Sequence, residues 1–299
     1  MRLRAAVLDD APAVLEVLAA RDRVDLGATD HQLAALVDSW RVLGIDLADD
    51  VRVVEVGRTV VAYGLVRRAG SMVVVAPDHE GAGAGTLLLR WVEQRERQRG
   101  HRTHRQWIAA GNAGGRAMLA SAGYTRTHSY VRMARRLVAA PPPTLRPPGV
   151  IIRQVEVAED AMALHALDAA SFAGAPDYEP ESLEEFSAEH LHAPDLDPEL
   201  CWVAERGQEI AGFLLGHRWR QSGVGFVDLL AVHPEHQRLG IGTALLGEAL
   251  TGFAADGLSQ AQLGVDSDNP RALRLYERAG MARRFRFDTY ERPLLTAPA

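Results

Sequence analysis

Two glycines one residue apart, Gly240 and Gly242, stand where an apolar strand-like run gives way to a helical pattern. The run ends Leu229-Leu230-Ala231-Val232, and the loop reads Gln237-Arg238-Leu239-Gly240-Ile241-Gly242-Thr243. Glycine lacks a Cβ, so backbone N–H groups in such a loop can close on an anion. The start of a helix adds unpaired donors and the positive end of its dipole, and Arg238 adds a charge. These features describe a pyrophosphate cradle. The loop is not a P-loop, because the GK[ST] ending is absent, and it is not a GxGxxG dinucleotide fingerprint. Further on, Asp268-Asn269-Pro270 opens a second helix. Asp268 or Asn269 suits the N-cap, Pro270 the first turn and Gly280 the C-terminal cap.

The elements around these motifs occur twice. Glu55-Val56-Gly57 matches Glu205-Arg206-Gly207 at an offset of 150 residues. Pro77, Gly83, Gly85, Asn112 and Ala122-Gly123 match Pro234, Gly240, Gly242, Asn269 and Ala279-Gly280 at an offset of 157. The seven-residue step falls near His217-Arg218-Trp219-Arg220-Gln221-Ser222-Gly223, which reads as a longer hairpin in the second half. A proline-rich stretch, Pro141-Pro142-Pro143-Thr144-Leu145-Arg146-Pro147-Pro148, reads as a semi-rigid linker. The expected organisation is a domain over residues 1–140, a linker over 141–149 and a domain over 150–299. Each half reads as an opening strand (3–7; 150–155) followed by helices, then strands over 51–56, 59–66 and 72–76 or over 201–205, 209–216 and 225–232. The glycine loop and a helix follow, with Ile241, Leu245, Ala249 and Phe253 at helical spacing, then a strand over 261–265 and the capped last helix. Early strands pair as hairpins and later ones alternate with helices. The fold class is therefore α/β (α+β), with a mixed, mostly antiparallel sheet flanked by helices in each half.

At this point the second half resembles the GNAT superfamily of acetyl-CoA-dependent N-acetyltransferases. The resemblance rests on Gln237-x-x-Gly240-x-Gly242, on Leu229-Leu230-Ala231-Val232-His233-Pro234 before it, and on Asp268-Asn269-Pro270 leading to Leu275-Tyr276-Glu277-Arg278-Ala279-Gly280. The tandem layout is similar to that of the mycothiol synthases, as are Ser171-Phe172-Ala173-Gly174 and Asp288-Thr289-Tyr290. The resemblance implies direct acetyl transfer from acetyl-CoA, as cosubstrate, to an amine. It implies that backbone groups of Leu230, Ala231 and Val232 meet the pantetheine arm, with the Leu230 N–H at the thioester oxygen. Gln237, Arg238, Leu239, Gly240, Ile241, Gly242, Thr243 and Asn269 would hold the rest of the cofactor. Tyr276 matches the tyrosine that protonates the leaving thiolate, a role suited to a phenol with a pKa near 10. The alternative for Tyr276 is a core aromatic beside Ala272, Leu273 and Ala279. Many members, mycothiol synthases included, carry Glu fourteen residues before the first motif glycine, and here that position is Phe226. Asp228 lies two residues on, hence on the same strand face as Phe226, Leu230 and Val232. It reads either as the base, directly or through a water, or as a carboxylate that binds a cationic acceptor. In the first half Glu80, Gly81, Leu119 and Ser71 stand where the second has Gln237, Arg238, Tyr276 and Asp228. That half reads as a degenerate domain.

Charge and composition narrow the partners. All 33 cationic residues are arginine, and the net charge is −6. Residues 1–149 carry 21 Arg against 15 acids, and residues 150–299 carry 12 against 24. No Arg occurs between Gln154 and Glu205, while nine carboxylates lie in 177–199. That segment reads as a solvated acidic face or as a field that draws in a cationic amine, small-molecule or peptide. Nucleic acid is not expected as a partner, since the basic excess is modest and confined to one half. One cysteine, Cys201, excludes a disulfide framework and a thiolate-rich metal site, and it reads as a buried small residue. His101-x-x-His104 and His190-x-His192 read as solvated loop histidines, so no metal is expected. His233 and His236 read as surface or supporting residues. No run is long and apolar enough to span a membrane, and Asp9 and Asp10 interrupt the N-terminal apolar run, which points to a cytoplasmic protein. Two alternatives to amine acetylation stand beside it: a mycothiol synthase acting on a cysteinyl glycoside, and a non-catalytic acyl-CoA-binding sensor.

Overall fold

The computed structural model describes residues 1–29, 31, 33–41, 45–67, 70–137, 145–175, 178–193, 196–220 and 222–294. The first part of the chain runs β1 (Arg2–Ala5), α1 (Ala11–Asp25), α2 (Leu33–Ser39), α3 (Leu47–Asp50), β2 (Val51–Val56), β3 (Thr59–Arg67), β4 (Gly70–Val75), α4 (Ala84–Gln98), β5 (Thr103–Ala109), α5 (Ala113–Ser121) and β6 (Thr125–Arg136). The second runs β7 (Val150–Gln154), α6 (Val157–Phe172), α7 (Leu183–Phe186), β8 (Trp202–Arg206), β9 (Glu209–Trp219), β10 (Val224–Val232), α8 (Ile241–Ala255), β11 (Gln260–Asp266), α9 (Pro270–Arg278) and β12 (Ala282–Pro293). The hairpin strands fall within a few residues of their expected places, and the turn glycines Gly57 and Gly207 have positive φ. Among the described residues no helix is long and apolar enough to cross a membrane.

The compact units do not follow the expected split at 141–149, of which residues 141–144 lie outside the described residues. One unit comprises Met1–Tyr130 with Phe285–Ala299, and the other Val131–Arg284. The cause is the pairing of the two closing strands. β12, at the C-terminal end of the chain, runs antiparallel to β5, with Phe287 opposite Ala109 and Pro293 opposite Thr103. The first unit is thus ordered β1-β2-β3-β4-β5-β12, followed by the Thr125–Tyr130 part of β6. The remainder of β6 begins the second unit, ordered β6-β11-β10-β9-β8-β7. In each unit the hairpins are antiparallel and one pair, β4–β5 or β10–β11, is parallel.

In the second unit α8 and α6 cover opposite faces of the sheet. Ile241, Leu245, Ala249 and Phe253 of α8 are buried against Val227, Leu263 and Leu214. Leu164 and Leu167 of α6 are buried with Phe213, Leu215 and Ala231. At about 1.5–3 kcal/mol for each large side chain fully buried, these two layers hold the unit together. β10 lies so close to α8 that a Cβ on Gly225 would come within 2.3 Å of the Phe253 ring.

The strand exchange has a measurable consequence. Tyr290 of β12 is buried with Val66, Leu89, Leu119 and Tyr124, all of the first unit. Tyr290→Ala should cost about 3–5 kcal/mol, the usual range for deleting a buried ring. By hydrogen-exchange mass spectrometry the loss of protection should appear in β5 and α5 and spare β10 and α8.

Candidate active site

The site is built around an interruption in β10. Residues 224–227 pair in parallel with β11, from Val224 opposite Gln260 to Val227 opposite Leu263, and the pairing ends there. On its other side β10 stays paired with β9, but the register shifts between Val227 and Leu229. Asp228 is the extra residue of this bulge. Val227 therefore packs towards α8, whereas Leu229 and Ala231 pack towards α6, and Leu230 and Val232 return to the α8 face. A regular strand would have placed Asp228 on the face of Leu230 and Val232. The bulge places it on the opposite face, because one inserted residue inverts the alternation beyond it.

From Leu229 to Val232 the β11-facing edge of β10 is unpaired among the described strands, and it borders a cavity of about 590 Å³. Leu230 and Val232 form one wall of the cavity, and Gln237, Arg238, Gly240, Ile241, Gly242 and Thr243 form its floor. Asn269, Ala272, Leu275 and Tyr276 close it from α9. Of the residues expected to hold the cofactor, Ala231 and Leu239 do not line it: Ala231 is buried on the α6 face and Leu239 turns to solvent. Gly240 caps α8 with φ +89, a conformation that favours glycine. Arg238 also adopts a positive φ of 67, an unusual state for a residue with a Cβ. Gln237 ties strand to helix: its Nε2 donates to the Val232 carbonyl at 3.1 Å, and Arg271 donates to its Oε1. Arg271, Arg274 and Arg278 join Arg238 around the cavity. The sequence reading passed over these three, although their i, i+3, i+7 spacing marks one face of a helix.

Asn269 is the N-cap of α9, accepting from the Ala272 N–H at 3.0 Å. Three residues after Leu273, Tyr276 is buried yet still lines the cavity, so it is both a core aromatic and a site residue. Burial pushes its phenol up to about 12, and it stays protonated at neutral pH.

On the opposite face Asp228 meets histidines. Its Oδ2 lies 3.0 Å from His190 Nδ1 and 3.7 Å from His217 Nε2. Burial alone would raise the Asp228 pKa, but the two histidines more than offset it and hold the carboxyl well below the usual range. Burial would likewise lower His190, but Asp228, Glu181 and Glu189 raise its pKa above the ordinary value. His190 is thus not a solvated loop residue. It sits on a π-helical turn, Ser187–Leu191, packed on Phe186, and the carboxylate bonded to its ring, Asp228, comes from a distant strand that its own spacing could not reveal. Asp168 of α6 is buried beside this cluster, and burial pushes its carboxyl up to about 6. The acidic segment is not a uniform field either. Asp177 and Asp195 lie outside the described residues. Glu185 closes a capping box with Ser182, while Asp197 pairs with Arg218 of β9 at 2.9 Å. Glu181 and Glu189 gather at His190, with Glu181 Oε2 3.7 Å from its Nε2.

The remaining candidates separate cleanly. Cys201 is buried, which pushes its thiol up to about 12 and leaves it a poor nucleophile. His104 is buried in β5, against expectation, with Nδ1 2.5 Å from the Tyr124 hydroxyl, and His101 pairs with Glu96. His192 is exposed as expected, and His236 reaches the cavity rim while His233 caps the turn before it.

The linkage of the His190–Asp228 pair gives a stability test. A raised histidine pKa stabilises the fold below the unfolded value of about 6.5, and that contribution fades as pH rises through the folded value. Asp228→Asn removes the charge that raises it. The variant should lower Tm more at pH 6 than at pH 8.5 in paired thermal melts.

The acetyltransferase (GNAT) family profile matches residues 162–281. A mycothiol acetyltransferase of Streptomyces bingchenggensis is 34% identical over 241 residues, spanning 77% of this chain and 72% of its own length. A crystal structure of a GCN5-related N-acetyltransferase from Sphaerobacter thermophilus superposes with a TM-score of 0.83 at 26% identity, covering 99% of this chain and 96% of that one. A tandem GNAT protein from the clavulanic acid biosynthesis pathway shares the fold at a TM-score of 0.78 and 15% identity, with 99% of each chain covered. The chain belongs to the GNAT acetyltransferase family, in its tandem two-domain form.

Proposed function

We propose that the second unit transfers acetyl directly from acetyl-CoA to an amine. The observation that carries this reading is the unpaired edge of β10, which runs from the arginine-rimmed cavity to the bulge at Asp228. An extended pantetheine arm can add to such an edge as a strand does, through backbone hydrogen bonds. The N–H groups at the start of α8 and the arginines around the cavity suit pyrophosphate and phosphate. Leu230 lies in the unpaired stretch, where its N–H can meet the charge that gathers on the thioester oxygen. Tyr276 holds its proton at neutral pH and can give it to the departing thiolate. On the other face Asp228, Glu181 and Asp168 supply negative charge for an amine that arrives as a cation.

A cysteinyl glycoside, the acceptor implied by the resemblance to the mycothiol synthases, is the second reading. Phe226 distinguishes it. The position that the resemblance assigns to Glu is here an aromatic ring stacked on Trp219 at 4.5 Å, with the Arg132 guanidinium 4.6 Å from its centre. The chemistry around the bulge therefore differs from that implied by the resemblance, and a different amine is the first reading.

The first unit has the scaffold without these parts. Glu80 pairs with Arg21, which also holds Asp25 at 2.6 Å, and Asp25 accepts from Asn112 at 3.1 Å. A carboxylate and its network thus occupy the mouth of that glycine loop, and Leu119 is buried where Tyr276 stands in the second unit.

Calorimetry should therefore find one acetyl-CoA per chain, and Gly240→Glu should abolish binding in a folded protein. With a broad amine panel, free CoA release should reveal turnover, and Tyr276→Phe should cut kcat by ~10²-fold or more with Kd for acetyl-CoA nearly unchanged. Binding without turnover would identify a sensor instead. For the best acceptor, kcat/KM should fall with salt, since screening shortens to ~8 Å at physiological ionic strength. Glu181→Gln should raise acceptor KM more than acetyl-CoA KM.

A further inference from the structure

The proton that an amine loses on acetylation has two nearby destinations at the bulge, Asp228 and His190. Asp228 is the weaker base. Its carboxylate already faces two imidazoles through one oxygen, and a carboxyl held that low takes up a proton poorly near neutral pH. His190 has the complementary position. Its Nδ1 donates to Asp228 Oδ2, which fixes the tautomer and leaves the lone pair on Nε2. Nε2 lies 3.7 Å from Glu181 Oε2, too far for a hydrogen bond, and the side chain keeps 21% of its surface open.

On the reading that this unit is an N-acetyltransferase, we propose that His190 Nε2 is the proton acceptor of the reaction and that Asp228 is its positioning residue. The amine nitrogen bonds to the acetyl carbon, the carbon–sulfur bond breaks, and the amine proton passes to Nε2. Tyr276 protonates the thiolate, and both side chains then exchange protons with water. An acceptor that arrives as an ammonium first loses one further proton to water. The imidazolium formed is stabilised by Asp228 from β10 and by Glu181 and Glu189 from its own segment. Asp168 and His165 of α6 and His217 of β9 complete the titratable groups around it. Asp228 acts here as the buried aspartate of a hydrolase triad acts on its histidine, by holding the ring and its charge rather than by taking the proton.

The test is the pH profile of kcat at saturating acceptor and acetyl-CoA. Activity requires neutral His190, so kcat should rise with pH through a group whose pKa lies above the usual 6.5. That limb should stay in place for two acceptors of different amine basicity. His190→Gln should lose ~10²-fold or more in kcat and lose the limb, with Kd for acetyl-CoA unchanged as the check on folding. Asp228→Asn should move the limb to lower pH with a smaller loss, an effect that a merely structural role would not produce. A His190→Gln enzyme within threefold of wild-type kcat, or a limb unmoved in Asp228→Asn, overturns the assignment of His190 and leaves acetyl transfer standing. A wild-type chain that binds acetyl-CoA and acetylates no amine overturns both.

Discussion

One extra residue in one strand controls the second unit. With Asp228 inserted between Val227 and Leu229, β10 changes the face it shows to each layer and parts from β11. Up to Val227 the strand is an ordinary member of the sheet, with its backbone groups paired on both sides. Beyond it, four residues keep their bonds to β9 and have an edge without a partner among the described strands. Exposed edges are normally a liability, because they offer backbone donors and acceptors to any extended chain. Here the edge leads into a cavity lined by polar loop backbone and arginine side chains. The feature that would promote aggregation on an outer strand becomes a place for an extended ligand.

The bulge also separates charge. Arg238, Arg271, Arg274 and Arg278 surround the cavity on the α8 and α9 side, while Asp228, Glu181 and Asp168 gather towards α6 and α7. A strand is thin, so the polyanionic donor and cationic acceptor proposed for this unit can approach β10 from opposite faces without either crossing a field of its own sign. The same arrangement sets opposite proton affinities for Tyr276 and Asp228. Burial without a charge partner keeps Tyr276 protonated, whereas imidazole partners keep Asp228 ionised. Tyr276 thus carries a proton at neutral pH, and Asp228 stands as a fixed charge.

The glycine loop and the helix caps were legible because their signals are local. Gly240, Gly242, Asn269 and Pro270 each answer to a backbone requirement within a few residues, and the α8 face from Ile241 to Phe253 answers to helical period. The strand hairpins were legible for the same reason. Two classes of feature were not. β6 and β12 carry arginines through most of their length, which hides any alternation, and their exchange between units depends on pairing across more than a hundred residues. The Asp228–His190–His217 group is the second. Its members lie on β10, a π-helical turn and β9, so sequence spacing leaves His190 beside His192, which is exposed and bonds only to the local Ser187 carbonyl. The bulge itself leaves no mark on an apolar run, because Leu, Val and Ala suit either face.

The two units then show what the bulge adds to a shared scaffold. β4 holds unbroken register with β3 from Gly70 to Val75, through Ser71 at the position equivalent to Asp228. Ser71 is fully buried and donates to Glu96 at 2.5 Å, and Glu96 in turn pairs with His101. Serine, carboxylate and imidazole are all present, yet the carboxylate stands between the other two, so the hydroxyl meets Glu96 and not the imidazole. The first unit thus spends its polar residues on internal pairing, as Glu80 and Arg21 do at its glycine loop. Layers, hairpins and caps are common to both halves, whereas a register shift in the strand before the glycine loop and a cavity ringed by arginines belong to the second. Chemistry on this fold therefore depends on where the sheet is broken rather than on the sheet.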